Sequence, residues 1–367
     1  MRAFLLDIHN ILVTAGLAFA TGLAFHMCGL PAPFLLGALF GVWIIGAAIS
    51  PIRTRLRIAR WLHVPVVLGL GTVIGSNFHP DVLAHIGSSA VTVIAMFIAT
   101  IIATLAGLAY LVRVRKYSFI MALLSCIPGG QAEVTAMSRD LVQKDYVVAL
   151  FHLVRVALVF CSTPLILAFV EGDAAVIRSN DTLASMAGIA DVDLDNILSF
   201  LLISICGLPV ARLVRLPMPH LLGPLLISST CHILGLAEIP RISEFVVMAQ
   251  IVIGASVGAR LARVPLRQLA MYIRDAVVNS AIVLSTYGVT AYCLAALTGI
   301  DFTKMLLAFI PGGLYEVTLL ALIFGFDIAF VAFHHTVRVM MVFLGLPFII
   351  TFAERRNLID RNTKSPH

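Results

Sequence analysis

The chain has 367 residues, of which 60% are hydrophobic and 12% charged, and its mean hydropathy is +1.03. This composition excludes an ordinary soluble domain and predicts an all-α polytopic membrane protein, because the apolar runs approach the ~20 residues that cross a bilayer as a helix. Although the net charge is +6, the arginines lie in short clusters between apolar runs, which indicates membrane topology rather than nucleic-acid binding.

Twelve apolar segments are predicted, six in each half of the chain. In the first half they lie near residues 11–28, 34–50, 61–78, 87–112, 118–138 and 146–170. In the second half they lie near residues 196–211, 219–236, 244–261, 276–298, 302–324 and 329–352. These segments divide the chain into a first membrane repeat (1–170), an acidic connector (171–195), a second membrane repeat (196–353) and a basic tail (354–367).

The two halves are related by duplication. Residues 128–164 align without a gap to residues 311–347, at an offset of 183, with 15 identical pairs in 37 positions. The identical pairs include Glu133 and Glu316, His152 and His335, and Arg155 and Arg338. Because LPAPFLLG at 30–37 also aligns with LPMPHLLG at 216–223, the duplication covers essentially the whole chain. The first segment also has a counterpart, so we expect it to be retained rather than cleaved as a signal peptide.

The positions of the basic residues predict the direction of each half. If the fifth segment of each half does not cross the membrane, all the basic clusters fall on the cytoplasmic side. These clusters lie within residues 53–60, 113–116, 260–274 and 355–364. Five crossings is an odd number, so the halves would form an inverted repeat like those of secondary transporters. Both termini are then cytoplasmic and the acidic connector periplasmic. Full crossing of the fifth segments as broken helices stays open.

Each of these fifth segments contains a Pro-Gly-Gly sequence, at Pro128-Gly129-Gly130 and at Pro311-Gly312-Gly313. We expect a helix to stop and restart there, because proline lacks an amide donor and glycine has little helical preference. Broken backbone persists at membrane depth only where protein buries it or it lines a water-filled cavity. Free amides at the restart are suited to an anionic or polar solute. Glu133 and Glu316, one turn inside, are suited to a cation or proton.

The charged candidates also have structural interpretations. Glu133 and Glu316 fit the third position of a helix, where a glutamate caps the N-terminus. Arg155 and Arg338 fit as buried ion-pair partners of those carboxylates, which is compatible with a functional site nearby.

The polar neighbours of these groups have two interpretations as well. His152 and His335 lie three residues before the arginines and therefore share their helix face. Each histidine fits either a hydrogen-bonded core residue or a proton relay. Thr135 and Thr318 fit either donors to a solute or hydroxyls that bond to their own helix.

Enzymatic motifs are weak or lacking in the sequence. It contains no Walker loop, dinucleotide fingerprint, HExxH or GxSxG, so we expect neither an enzyme nor a cofactor. The pair His334-His335 resembles a copper ligand set, but the first copy reads Phe151-His152, so no metal site is predicted. The six cysteines have no CxxC spacing and indicate neither zinc nor a disulfide framework.

Through PGGQAEVTAM, PGGLYEVTLLAL and the paired P-x-P-x-L-L-G motifs, the chain resembles the AbrB-type duplicated membrane proteins of bacteria. The resemblance covers both halves and implies a multi-pass protein of the bacterial inner membrane, with the two PGG-xx-E elements as family motif. The family carries the labels of a regulator and of an ammonia monooxygenase, and neither label has a visible basis in these residues. Asp140 and Lys144 become Ile323 and Asp327 in the second copy, so the halves are not equivalent.

The leading functional hypothesis is a secondary transporter of a small polar or anionic metabolite, coupled to H⁺ or Na⁺, with alternating access around the two PGG-xx-E elements. The second is a membrane sensor or regulator of gene expression that binds a small ligand without transport. The third, a membrane oxidase, has the least support. The expected partners are the lipid bilayer, the solute and its coupling ion. Nucleic acid is not expected as a partner. The sequence is compatible with a homo-oligomer.

Overall fold

The computed structural model describes residues 2–80 and 89–356, which are helical apart from short connections. The first half forms α1 (Arg2–Met27), α2 (Pro33–Ala48), α3 (Ser50–Arg53), α4 (Arg60–Gly75), α5 (Ala90–Ala109), α6 (Phe119–Cys126), α7 (Gln131–Leu141) and α8 (Asp145–Glu171). The remainder forms α9 (Asp173–Ala184), α10 (Leu194–Leu213), α11 (Pro219–Ile233), α12 (Ser243–Ala262), α13 (Leu266–Thr298), α14 (Phe302–Phe309), α15 (Leu314–Ile323) and α16 (Ile328–Arg355). No β-strand occurs within these ranges, although Ala187 and Ile242 form an isolated bridge.

Seven helices of the described chain are long and apolar enough to cross a membrane, which confirms an all-α polytopic membrane protein. They are α1, α5, α8, α10, α12, α13 and α16. Three other predicted crossings form the shorter helices α2, α4 and α11, of 16, 16 and 15 residues. A helix of that length spans only about 24 Å, less than the ~30 Å hydrocarbon core. The number of crossings therefore stays a prediction.

The P-x-P motifs begin α2 and α11 in the same way. Pro33 and Pro219 occupy the first helical position, where the missing amide costs no helical hydrogen bond. The preceding residues, Ala32 and Met218, have left-handed backbones with φ of 47° and 48°. This conformation is uncommon for residues other than glycine. The two helix starts therefore share the same uncommon backbone conformation.

The helices fall into two compact units. Unit 1 comprises Met1–Ala84, Phe160–Pro265 and Thr318–Ala329, and unit 2 comprises His85–Val159, Leu266–Val317 and Phe330–His367. The division follows the duplication, because the first three predicted segments of both halves belong to unit 1 and the fourth of both halves to unit 2.

Within unit 1, glycines allow two pairs of helices to pack closely. Helix α4 packs on α11, and α2 packs on α12. In both pairs a Cβ added to the glycine would overlap a backbone carbonyl oxygen of the partner helix. The contacts pair Gly71 with Leu221, Gly75 with Leu225, Gly254 with Leu35, and Gly258 with Leu39. Each helix pair runs parallel, since the residue numbers rise together. Small residues at such positions allow membrane helices to approach closely.

Within unit 2, the corresponding helices α5 and α13 run antiparallel. The residues that meet are Thr100 with Tyr287, Gly107 with Asn279, and Arg115 with Asp275. Numbers rise along one helix as they fall along the other. Arg115 follows a π-helical turn at Tyr110–Val114 that extends α5. The basic connection after α5 and the start of α13 therefore lie at the same end of unit 2.

The acidic connector contains secondary structure that composition did not predict. Helix α9 occupies Asp173–Ala184, and a 3₁₀ turn follows at Ile189–Asp191. Arg178 of α9 forms an ion pair with Glu171 at 3.1 Å. Much of the predicted basic tail, including Arg361 and Lys364, lies outside the described residues, as does the predicted start of the fourth segment at residues 87–88.

Candidate functional site

Both Pro-Gly-Gly sequences interrupt a helix, as predicted. Helix α6 ends at Cys126 and α7 begins at Gln131, while α14 ends at Phe309 and α15 begins at Leu314. Each break exposes the last carbonyl groups of one helix and the first amide groups of the next, which lack partners inside their own helices.

The guanidinium of Arg155 binds the carbonyl end of the first break. Its Nη2 donates to the carbonyl oxygen of Ile127 at 2.9 Å, and its Nη1 lies 3.4 Å from that of Cys126. Arg155 projects from α8 and its side chain is buried. A cation at a helix C-terminus interacts favourably with the negative end of the helix dipole. The contacts of Arg155 therefore favour a capping role over an ion pair with a glutamate.

Arg338 binds the second break more extensively. Its Nη1 donates to the carbonyl oxygens of Phe309 and Ile310 at 3.0 and 3.1 Å. Its Nη2 donates to that of Gly312 at 3.3 Å. The Arg338 side chain, on α16, is fully buried. The two arginines thus hold equivalent positions, and the second also binds the backbone of the Pro-Gly-Gly sequence itself.

The two histidines orient these arginines. His152 Nδ1 accepts from Nη2 of the neighbouring arginine at 2.7 Å, and His335 Nδ1 does so at 2.8 Å. Since Nδ1 accepts, Nε2 carries the proton and donates to the carbonyl oxygens of Leu124 and Leu307, both at 3.0 Å. Both ring nitrogens are engaged, which favours hydrogen-bonded core residues over a proton relay.

The glutamates occupy the third position of the restarting helices. Glu133 is half-buried and Glu316 is buried. The carboxylate of Glu316 lies over the N-cap residue Gly313, where an added Cβ would overlap it. Glu133 approaches Gly130 less closely, since a Cβ there would be 3.6 Å from Oε2. This geometry is typical of a capping glutamate, and it also leaves each carboxylate beside the amides of a helix N-terminus.

The glycines serve the two breaks differently. Gly129 and Gly130 have φ of 95° and 58°, which favours glycine on conformational grounds. Gly312 and Gly313 do not have a positive φ, but a Cβ at Gly312 would lie 2.5 Å from Val317 Cγ2. The first break thus requires glycine for its backbone angles and the second for space.

Arg338 connects the two breaks. While its terminal nitrogens bind the second break, its Nε lies near the first, 3.8 Å from the position a Cβ would take at Gly129. This Nε is buried and has no hydrogen-bond partner among the described residues. The guanidinium carbon lies 5.8 Å from the ring centroid of Tyr287, whose hydroxyl hydrogen-bonds Thr100 at 2.7 Å. A buried N–H donor therefore lies close to the first break while the same guanidinium binds the second.

A cavity of about 490 Å³ lies beside the first break. Glu133 and Gly130 form part of its lining, and the rest is apolar side chains of α7 and α16, including Met137, Val342 and Phe343. Glu133 is the only charged residue among the described residues that line it. The cavity gives a solute or ion space next to this carboxylate.

The two threonines that the duplication repeats, Thr135 and Thr318, belong to different units. Thr135 Oγ1 is buried and has no hydrogen-bond partner among the described residues, so it is available as a donor. Thr318 is fully buried in α15, two residues after Glu316, and belongs to unit 1.

Sequence reasoning missed a buried aspartate in unit 2, Asp275, which has an ion-pair partner and a hydrogen-bond partner. Asp275 is fully buried, lies 2.8 Å from Arg115 Nε and accepts a hydrogen bond from the Tyr117 hydroxyl at 3.1 Å. Its signal in the sequence was an aspartate next to Arg274 where a long apolar run begins. The contacts attach the connection after α5 to the start of α13.

Comparison with known proteins identifies the family. The sequence model described as "Transition state regulatory protein AbrB" matches residues 34–354. The chain belongs to the AbrB family. A relative, "Uncharacterized protein YhjN" of Bacillus subtilis (strain 168), is 24% identical over 332 residues, covering 85% of this chain and 86% of that protein. No solved structure matches the chain.

The AbrB match contains the whole candidate site. Both Pro-Gly-Gly sequences, both glutamates and both histidine–arginine pairs lie inside residues 34–354, whereas α1 lies outside. The expected family resemblance is therefore confirmed over both halves.

Proposed function

We propose that this AbrB-family protein is a secondary transporter of a small polar or anionic metabolite, coupled to H⁺ or Na⁺. The observation that carries the proposal is the position of Arg338. It binds the carbonyls of one helix break, while its Nε, which has no hydrogen-bond partner among the described residues, lies near the other. An unsatisfied buried donor of a charged group costs about 1–3 kcal/mol or more, a cost that a bound acceptor removes. An anionic or polar group of the solute is such an acceptor.

The helix breaks support the same function. Restarting helices offer amides and positive dipole ends to an anion, and the neighbouring Glu133 and Glu316 offer sites for a coupling cation or proton. The antiparallel packing of α5 and α13, which correspond in the duplication, agrees with two repeats of opposite orientation. Inverted repeats provide two related conformations, open to opposite sides, as alternating access requires.

The test is uptake by the purified protein in liposomes, with and without ion gradients. A thermal-shift screen of carboxylates, amino acids and amines selects the solute, which is then supplied in labelled form. Glu133→Gln and Glu316→Gln should each lower uptake by roughly tenfold or more, equivalent to ~1.4 kcal/mol, while the protein stays folded. Glu238→Gln, at an exposed position, is the matched control. Normal uptake by both site variants rejects the assigned role of the glutamates.

A second candidate is a membrane sensor that regulates gene expression. The observation that favours it is the family description, which names a regulatory protein. Its distinguishing result is specific solute binding by the reconstituted protein without entry of labelled solute into the liposomes under any gradient.

A further inference from the structure

Unit 1 contains a basic cavity of about 840 Å³ that uses none of the residues of the Pro-Gly-Gly site. It lies among the N-terminal part of α1, the start of α4, the ends of α10 and α12, and the start of α11. Its polar lining consists of Asp7, Arg57, Arg60, Arg212, His220 and Arg263. Four arginines against one aspartate give the lining a net charge of +3 when the histidine is neutral.

Two of the four arginines are already engaged. Arg57 forms an ion pair with Asp7, and Arg263 donates to the carbonyl oxygen of Leu56 at 2.8 Å. Within the described chain, no hydrogen bond or ion pair reaches the side chains of Arg60 and Arg212. His220 also carries a buried Nδ1 without a hydrogen-bond partner there. The cavity therefore presents two uncommitted guanidiniums and one available ring nitrogen.

The segments that line the cavity are all predicted to lie on one side of the membrane. The N-terminus, the connection between segments two and three, that between seven and eight, and that between nine and ten are all expected to be cytoplasmic. Trp61, which also lines the cavity, is 53% exposed at the start of α4. A tryptophan of this kind is typical of the membrane–water interface.

We propose that this basic cavity binds an anionic phosphate ester through Arg60 and Arg212, supplied by an anionic phospholipid of the cytoplasmic leaflet. The planar guanidinium group donates two parallel hydrogen bonds to phosphate oxygens. Arg60 at the start of α4 and Arg212 near the end of α10 both line the cavity and are available for such bonds. Basic pockets between membrane helices on the cytoplasmic side are suited to anionic headgroups. The site does not depend on whether the protein transports a solute.

The test uses the full-length protein in nanodiscs of phosphatidylcholine alone or mixed with phosphatidylglycerol. Lipid retention is measured by native mass spectrometry, and stability by thermal unfolding. The double variant Arg60→Gln/Arg212→Gln should bind phosphatidylglycerol roughly 30-fold more weakly, equivalent to about 2 kcal/mol. The control variant Arg113→Gln/Arg267→Gln removes the same charge from exposed positions outside the cavity and should bind normally.

A second arm separates the two sources of phosphate. Pyrophosphate is added to protein in phosphatidylcholine nanodiscs. If pyrophosphate but not phosphatidylglycerol stabilises the protein, and the cavity variant loses this effect, the phosphate site is supported. Its ligand is then a soluble phosphate ester and not a lipid. The proposal is overturned if neither phosphatidylglycerol nor pyrophosphate binds, or if the cavity and control variants bind equally.

Discussion

At the scale of single residues, two arginines donate hydrogen bonds to the backbone carbonyls that the Pro-Gly-Gly sequences leave exposed. A Pro-Gly-Gly sequence opens a helix in apolar surroundings, and the carbonyls thus exposed require donors. Arg155 and Arg338 supply those donors from neighbouring helices, each oriented by a histidine one turn earlier. The repeated H-x-x-R pattern therefore provides hydrogen-bond donors for the carbonyl end of an interrupted helix.

This role predicts that Arg338→Lys destabilises the protein although the charge is kept. A lysine amine has one nitrogen, whereas the guanidinium reaches the carbonyls of Phe309, Ile310 and Gly312 with two. We expect the free energy of unfolding to fall by roughly 2–4 kcal/mol, measured by denaturation in detergent. The control Arg113→Lys, at an exposed position, should change it by no more than ~0.5 kcal/mol. Equal stability of the two variants contradicts the capping role.

The glycines provide a second test, because the two copies require them for different reasons. Gly130 has a left-handed backbone, with ordinary space for a Cβ, so Gly130→Asn should be more stable than Gly130→Ala by up to ~1 kcal/mol. At Gly313 the obstacle is the carboxylate of Glu316. A double-mutant cycle of Gly313→Ala with Glu316→Ala should therefore give a coupling energy of roughly 1 kcal/mol or more.

The corresponding cycle of Gly130→Ala with Glu133→Ala is the control and should give almost no coupling. Stability is measured for all variants by thermal and chemical unfolding. Similar coupling energies in the two cycles would show that the copies use their glycines in the same way.

The sequence predicted which residues form the site but not how they contact one another. Comparison of the two halves identified the repeated Glu, His and Arg positions, because polar residues at equivalent positions of two apolar segments are conspicuous. The partners of Arg155 and Arg338 are backbone carbonyls, which leave no signature in residue type. An ion pair with the glutamates was therefore an equally reasonable interpretation, and the contacts of Arg155 and Arg338 in the structure distinguish it from capping.

At the scale of helices, glycines set the distance between α2 and α12 and between α4 and α11. Gly254→Ala and Gly71→Ala should each destabilise the protein by roughly 1–3 kcal/mol, because the added Cβ meets a backbone carbonyl that cannot rotate away. Gly288→Ala is the control, since no atom of the described residues lies within 4 Å of a Cβ at that helical position. It should stabilise α13 by roughly 0.5–1 kcal/mol. The stabilities of the three variants are compared by thermal unfolding. If Gly254→Ala is as stable as Gly288→Ala, close packing of α2 on α12 is contradicted.

Hydropathy predicted the helices well where they are long, and less well where they are short or polar. The breaks after Cys126 and Phe309 followed from proline and glycine chemistry. Helix α9 was missed because its sequence is charged and lies between apolar runs, so no periodic apolar signal marks it. The division into two units could not be predicted from the sequence either, because it depends on contacts between distant segments and not on composition.

At the scale of the whole molecule, the open question is the direction of the two halves. The parallel pairs α2–α12 and α4–α11 and the antiparallel pair α5–α13 join helices from different halves of the chain. If successive membrane helices alternate in direction, α2 and α11 then point in opposite directions. Helix packing and the positions of the basic clusters are independent observations, and both favour an inverted arrangement.

Cysteine labelling tests that arrangement directly. In a background without the six native cysteines, Ala190→Cys in the connector and Arg267→Cys at the start of α13 should react with an impermeant maleimide from opposite faces. Both Ala190 and Arg267 are exposed. Arg113→Cys should react from the same face as Arg267→Cys, because the contact of Arg115 with Asp275 places those two connections at one end of unit 2. Labelling of Ala190→Cys and Arg267→Cys from one face would overturn the inverted arrangement while leaving the helix breaks and their arginine caps unaffected.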